Sequence, residues 1–214
     1  MSATDHYPDG NPPGEEDLLA ILAEVEGALA GAGIDHLFMG GISAYSHARP
    51  RVTQDIDVFI RPGDVARVRA ALEAAEFDVV DHDPMWLMKG WKRGVLVDVV
   101  FRSSGDIYLD DEMLARHWSG EYKGVRAPLV APEDLLVIKA MVTAEGNQQH
   151  WYDAIAIISR CELDWDYLLR RARQVGPRRV LSLLLFAESS DLLVPSTAVL
   201  SLFDAVHPRA EVTP

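Results

Sequence analysis

Six residues, Asp55-Ile56-Asp57-Val58-Phe59-Ile60, constrain this chain more than any other stretch. Branched and aromatic apolar side chains mark the run as a strand. Side chains along a strand alternate faces, so Asp55 and Asp57 share one face while Ile56 and Val58 turn to the other, into a core. A third carboxylate, Asp98, sits between Val97 and Val99 in the run Val95 to Phe101, which reads as an interior strand. An ionised carboxylate withdrawn from water is costly unless it is partnered. Three of them close together repel, and a divalent cation relieves that repulsion. Donor sets made only of oxygen favour magnesium or manganese over zinc. Taken singly, each Asp has a plainer role open to it: Asp55 capping a turn, Asp57 pairing with an arginine, Asp98 in a separate ion pair. The D-x-D together with a third strand carboxylate favours the metal.

The surrounding pattern is that of an α/β domain. Leu18, Ile21, Leu22, Val25 and Leu29 recur at helical spacing, and Gly31 and Gly33 end that helix. His36 to Met39 reads as a short strand stopped by Gly40-Gly41, with a short helix over 42–48 broken at Arg49-Pro50. After the D-x-D strand, Pro62-Gly63-Asp64 forms a turn, and Val65, Val68, Leu72 and Ala75 mark a helix. Phe77–Val80 and Trp86–Met88 read as short strands. From Pro132 the strands give way to helical spacing over 149–159, 165–175, 178–189 and 196–206. The expected organisation is a flexible leader (1–14), a catalytic α/β domain (15–130) with a small mixed sheet flanked by helices, and a C-terminal helical region (131–210).

Charge limits the partners. The chain of 214 residues carries 33 Asp and Glu against 20 Lys and Arg, a formal net charge of −13. A generic nucleic-acid binder would be basic, so any polyanionic partner must use a local patch. The densest candidate is Arg170, Arg171, Arg173, Arg178 and Arg179, which otherwise forms a solvated helix face. A single cysteine, Cys161, excludes a disulfide scaffold. The acidic start of the sequence lacks the apolar core of a secretory signal, and no apolar run is long enough for a membrane span. The expected compartment is the cytoplasm, with no membrane partner.

Upstream of the D-x-D lies Gly40-Gly41-Ile42-Ser43. Two glycines between a strand and a helix let backbone N–H groups approach a phosphate, and the start of the helix favours an anion. By itself Gly-Gly makes a turn; followed at a spacing of fourteen residues by D-x-D, it points to a phosphate site. The combination F-M-G-G-I-S, R-V-T-Q-D-I-D-V-F-I and V-D-V-V-F, over residues 36–101, resembles the DNA polymerase β-type nucleotidyltransferase superfamily. Downstream, A-P-E-D-L-L-V-I-K-A and H-W-Y-D-A-I-A-I-I resemble the helical part of the AbiEii/MenA-like group of that superfamily, extending the likeness to residue 159.

The resemblance implies that Gly40, Gly41 and Ser43 hold a triphosphate, that Asp55, Asp57 and Asp98 are the catalytic carboxylates binding Mg²⁺ or Mn²⁺, and that Lys139 contacts phosphate. Lys139 also stands out by position, since Leu135, Leu136 and Val142 share its helix face. Such a lysine either snorkels to water or has an anionic partner. Asp153 matches a late Asp of the family that orients this lysine; a solvent-facing Asp is the alternative. Arg51 and Thr53 either touch phosphates or shape the loop. Trp86 and Trp91, flanking Lys89, read as packing residues. The implied activity is transfer of a nucleoside monophosphate from a nucleoside triphosphate to an acceptor. That acceptor is tRNA for a toxin-like enzyme with an antitoxin partner, or a small molecule such as an aminoglycoside, or a protein. An inactive nucleotidyltransferase-fold module that binds another protein is the remaining alternative, against which the intact trio of carboxylates counts.

Overall fold

The structure, a computed structural model, describes residues 13–142 and 148–208. Of the expected leader, 1–14, only Pro13 and Gly14 fall within them. The chain divides into two compact units. One runs through Ser46 and takes in Pro50–Ser103 and Tyr108–Ala131; the other takes in His47–Arg49, Ser104–Ile107 and the chain from Pro132.

The first unit opens with helix α1 (Glu15–Gly31), whose first turn carries Glu15, Glu16 and Asp17 at the end where the helix dipole favours anions. Leu18, Ile21, Leu22, Val25 and Leu29 are its buried residues, the face expected from their spacing. Gly33, at φ +62°, turns the chain out of the helix, and the Ile34 N–H donates back to Leu29 O at 3.0 Å. Strand β1 (His36–Phe38) leads directly into α2 (Gly40–His47), and β2 (Asp55–Ile60) follows. A 3₁₀ turn at Pro62–Asp64 feeds α3 (Val65–Ala74). Then come β3 (Asp78–Asp83), β4 (Leu87–Lys92), β5 (Val95–Val100), α4 (Asp111–Arg116) and the hairpin β6 (Trp118–Tyr122) and β7 (Val125–Leu129).

These strands form one mixed seven-stranded sheet in the order β3-β4-β5-β2-β1-β7-β6. β2 pairs with β5 and β1 with β7 in parallel, while the other neighbours are antiparallel. The architecture is the mixed α/β class that the sequence pattern predicts. On one face, Phe38, Ile56, Val58, Val97 and Val99 pack with the inner residues of α1 and with Val68 and Leu72 of α3. Strand alternation therefore sends Asp55, Asp57 and Asp98 to the opposite face.

Three local expectations are revised. α2 begins at Gly40, two residues before the expected start, with Gly40 itself entering at a positive φ. β4 runs on to Lys92 through Lys89 and Gly90, since pairing with β5 continues where apolar alternation fails. The hairpin of β6 and β7 has no counterpart in the sequence reading; Gly120 and Pro128 interrupt the pattern a strand should show.

The second unit holds helices α5 (Pro132–Met141), α6 (Gln148–Arg160), α7 (Trp165–Val175), α8 (Pro177–Ser189) and α9 (Ser196–Val206). Proline begins both α5 and α8, where a missing N–H costs nothing. The Asp164 side chain caps α7 by accepting from the Tyr167 N–H at 3.0 Å. α5 is buried from Glu133 to Ala140, polar residues included. The Asp134 carboxylate accepts from the Tyr167 hydroxyl at 2.6 Å and from Arg171 Nε at 2.9 Å.

The arginine cluster is thus not a uniform solvated face. Arg171 is buried on Asp134. Arg179 donates to the carbonyls of Ala140 at 3.1 Å and Val142 at 3.0 Å, satisfying groups that the end of α5 leaves open. Arg173 donates to the Ser201 hydroxyl, and the Arg170 guanidinium lies over the Tyr167 ring at 5.2 Å. Among the described residues no helix is long and apolar enough to cross a membrane.

Asp134→Ala leaves the Arg171 cation buried without its carboxylate, and should lower the unfolding free energy by about 3–5 kcal/mol. Urea denaturation followed by circular dichroism measures this; an unchanged midpoint would show that the Asp134 network does not hold the helices together.

Candidate active site

The face of the sheet away from α1 and α3 gathers the carboxylates. β2 and β5 run parallel with Asp57 opposite Asp98 and Asp55 opposite Leu96. Neighbouring strands stand about 4.8 Å apart, so Asp57 and Asp98 are side by side. On the far side of β5, antiparallel β4 places Lys89 opposite Asp98. Three adjacent strands thus carry a row of Lys89, Asp98 and Asp57, with Asp55 one step along β2. Lys89 Nζ stands 3.3 Å from Asp98 Oδ1, an ion pair whose side chains are 13% and 18% exposed. This is the separate ion pair that was the plainer alternative for Asp98. The signal that pairs Lys89 with Asp98 lies in strand register, which needs the partner strand to be known.

The two glycines have a steric reason. Gly40 stands at φ +61°, and a Cβ there would lie 1.7 Å from Asp57 Oδ2. A Cβ on Gly41 would lie 2.3 Å from Thr53 Oγ1 and 3.2 Å from Arg51 Nη1. No side chain fits at either place, so the start of α2 lies directly against Asp57. Its open N–H groups and dipole favour the negative charge there. The Met39 N–H donates to the Asp57 carbonyl at 2.9 Å and fixes the approach. Thr53 donates its hydroxyl to Asp55 Oδ1 at 2.9 Å, so its position shapes the D-x-D loop. Ser43 is fully buried and donates to Phe38 O at 2.7 Å, which ties the corner between β1 and α2 together. Its hydroxyl holds backbone in this structure.

Asp55 and Asp57 have the chemistry a hard divalent cation needs: paired oxygen donors on one strand face, beside a backbone cradle that a single Cβ would fill. Asp98 does not complete a cage. Among the described residues no group of three or more His, Cys, Asp or Glu side chains is placed to hold a metal ion. In this conformation Asp98 faces an ammonium group instead.

Lys139 belongs to the helical unit. It is 1% exposed, so it does not snorkel to water. Its Nζ donates to Asp153 Oδ2 at 2.8 Å, and Arg49 Nη1 donates to Asp153 Oδ1 at 2.7 Å. Asp153 is itself fully buried, not solvent-facing. One sealed carboxylate therefore orients two cations.

The pattern of a protein family described as an uncharacterised nucleotidyltransferase matches residues 14–188. The chain belongs to this nucleotidyltransferase family. Its fold is similar to that of an antigenic nucleotidyltransferase-like protein from Paracoccidioides brasiliensis, at TM-score 0.52 and 15% identity, over 89% of this chain and 95% of that one. Lower scores relate it to the antibiotic-resistance factor ANT(2'')-Ia (TM-score 0.48, 15% identity, 90% of this chain, 92% of that one). They also relate it to the lincosamide antibiotic adenylyltransferase LnuA (TM-score 0.47, 17% identity, 69% of this chain, 99% of that one). No curated protein matches. The protein is a nucleotidyltransferase of mixed α/β fold.

Gly40→Ala tests how the nucleotidyltransferase builds this corner. The added methyl group meets Asp57 and the left-handed backbone at once, with a backbone cost of about 1–2 kcal/mol. The variant should lose nucleotide binding measured by calorimetry even where its circular dichroism spectrum is retained. Wild-type affinity would show that the tight approach of α2 to Asp57 is incidental.

Proposed function

We propose that this nucleotidyltransferase transfers a nucleoside monophosphate from a nucleoside triphosphate, with a divalent cation such as Mg²⁺, to a hydroxyl of a small acceptor molecule. The observation that carries the reading is the register of β2 and β5, with Asp57 beside Asp98 and the Gly40 corner packed against Asp57. Asp55 and Asp57 would hold the cation that accompanies the triphosphate. Bound there, it would neutralise charge building up on the leaving phosphates. Gly40 and Gly41 let the chain approach the phosphates where a side chain would block it. Asp98 positions the acceptor and takes its proton. The acceptor oxygen then bonds to the α-phosphorus, the bond between that phosphorus and the oxygen bridging to the β-phosphate breaks, and pyrophosphate leaves.

A small acceptor is favoured by charge. RNA binding gains affinity from each cation that neutralises a phosphate. In a chain of net charge −13 those cations must be concentrated, yet Arg171 and Arg179 of the one dense cluster serve internal contacts. An acidic protein instead attracts cationic acceptors, such as an aminoglycoside. The toxin-like reading, with tRNA as acceptor and an antitoxin partner, requires an RNA surface elsewhere.

Each α-labelled nucleoside triphosphate, incubated with the enzyme, total RNA and a small-molecule extract, decides the acceptor. Label is expected in the small-molecule fraction; label in RNA overturns the assignment. Asp57→Asn should reduce transfer by at least the roughly tenfold to hundredfold that loss of a supporting metal-site group costs. Arg170→Glu combined with Arg173→Glu should leave transfer near the wild-type rate. A drop in that double variant, with a flattened salt dependence, would return RNA as the acceptor.

A further inference from the structure

The chain contains two lysine–aspartate pairs of different character. Lys139 meets Asp153 at 2.8 Å, with side chains 2% and 0% exposed. That is the length of a charge-assisted hydrogen bond, sealed from water. Lys89 meets Asp98 at 3.3 Å, with part of each side chain reaching solvent. The first pair is locked. The second is longer, and its cation sits on a flexible stem with three rotatable donors. Its position is nevertheless set by the fold, because Lys89 is the register partner of Asp98 in β4, and Asp98 is the register partner of Asp57 in β2. A lysine in that row, flanked on its own strand face by the buried Leu87, has a charge that must be answered locally.

We propose that Lys89 is an exchangeable counter-cation built into the carboxylate row: it neutralises Asp98 in the nucleotide-free enzyme, and a divalent cation reaching Asp98 has to displace it. The inference rests on the reading of Asp55 and Asp57 as metal donors. Lys89 then acts as a positioning residue, acting through Asp98. It limits how strongly the empty site takes up a bare cation and keeps Asp98 from collapsing onto a metal before the triphosphate arrives. A unit positive charge within a few ångströms of that row opposes a dication strongly, even with the screening of a partly open site.

Mn²⁺ is the probe, titrated into the nucleotide-free full chain while the free-ion electron paramagnetic resonance signal is followed. Lys89→Met should bind Mn²⁺ at least about tenfold tighter than wild type, whereas Lys89→Arg, which keeps the charge, should stay close to wild type. In the wild-type protein, acetylation of the Lys89 amine, read by mass spectrometry, should speed up when Mn²⁺ is added. Equal Mn²⁺ affinity in Lys89→Met and wild type overturns the proposal. If Lys89→Met does not fold, the labelling decides, and a Lys89 acetylation rate indifferent to Mn²⁺ overturns it. Asp57→Asn separates the two levels. Mn²⁺ binding that survives Asp57→Asn unchanged removes the metal reading itself; binding lost in Asp57→Asn but unaltered by Lys89 substitution removes only the role of Lys89.

Discussion

Two carboxylates side by side on parallel strands set the terms for everything around them. The pairing of β2 with β5 gives Asp57 and Asp98 no freedom to separate, because the backbone ladder fixes their positions. The fold answers their repulsion with groups from neighbouring elements. The start of α2 presents its dipole to Asp57, Thr53 donates to Asp55, and β4 supplies the ammonium of Lys89 to Asp98. Each comes from a different element next to the strands, so the arrangement exists only once the sheet is assembled. Gly40 shows the cost of such proximity, since the helix comes so near Asp57 that even a methyl group has no room.

The parts of this arrangement legible in the sequence were those with a local signature. Period-two alternation put Asp55 and Asp57 on one face, and helical spacing picked out the buried face of α1, because both patterns are written within a few consecutive residues. Lys89 as the partner of Asp98 carries no such signature. Its meaning comes from a residue nine positions away on the next strand, and a lysine between a methionine and a glycine carries no pattern of its own. Ser43 was read through its neighbours as a phosphate donor, but its burial depends on how α2 leans over β1. β6 and β7 went unread because a five-residue strand containing glycine or proline loses its alternation while the ladder with its neighbour survives.

The arginine cluster shows a further limit of reading charge from sequence. Five arginines within ten residues look like one surface. A helix turns about 100° per residue, so adjacent members point in different directions. Arg171 turns inward to Asp134 and Arg179 reaches the carbonyls ending α5. A guanidinium with five donors suits such work, since it answers a buried carboxylate or several carbonyls from one side chain. The cluster therefore reports how the helices are held as much as how the surface is charged.

Two buried carboxylates of the helical unit, Asp134 and Asp153, are answered in the same way. Asp134 takes a hydroxyl and a guanidinium, and Asp153 takes an ammonium and a guanidinium, so each sealed carboxylate has both oxygens engaged. A carboxylate saturated in this way is fixed in place and has little capacity left for a ligand. The carboxylates of the sheet differ. Asp55, Asp57 and Asp98 are only partly buried. Asp55 receives the Thr53 hydroxyl on Oδ1, and Asp98 stands 3.3 Å from the ammonium of Lys89. Partial exposure keeps all three within reach of water. On the proposed reading, that reach is what an incoming cation and an acceptor hydroxyl need. The carboxylates that build the helical unit and those proposed to do the chemistry thus differ in how far each is withdrawn from water.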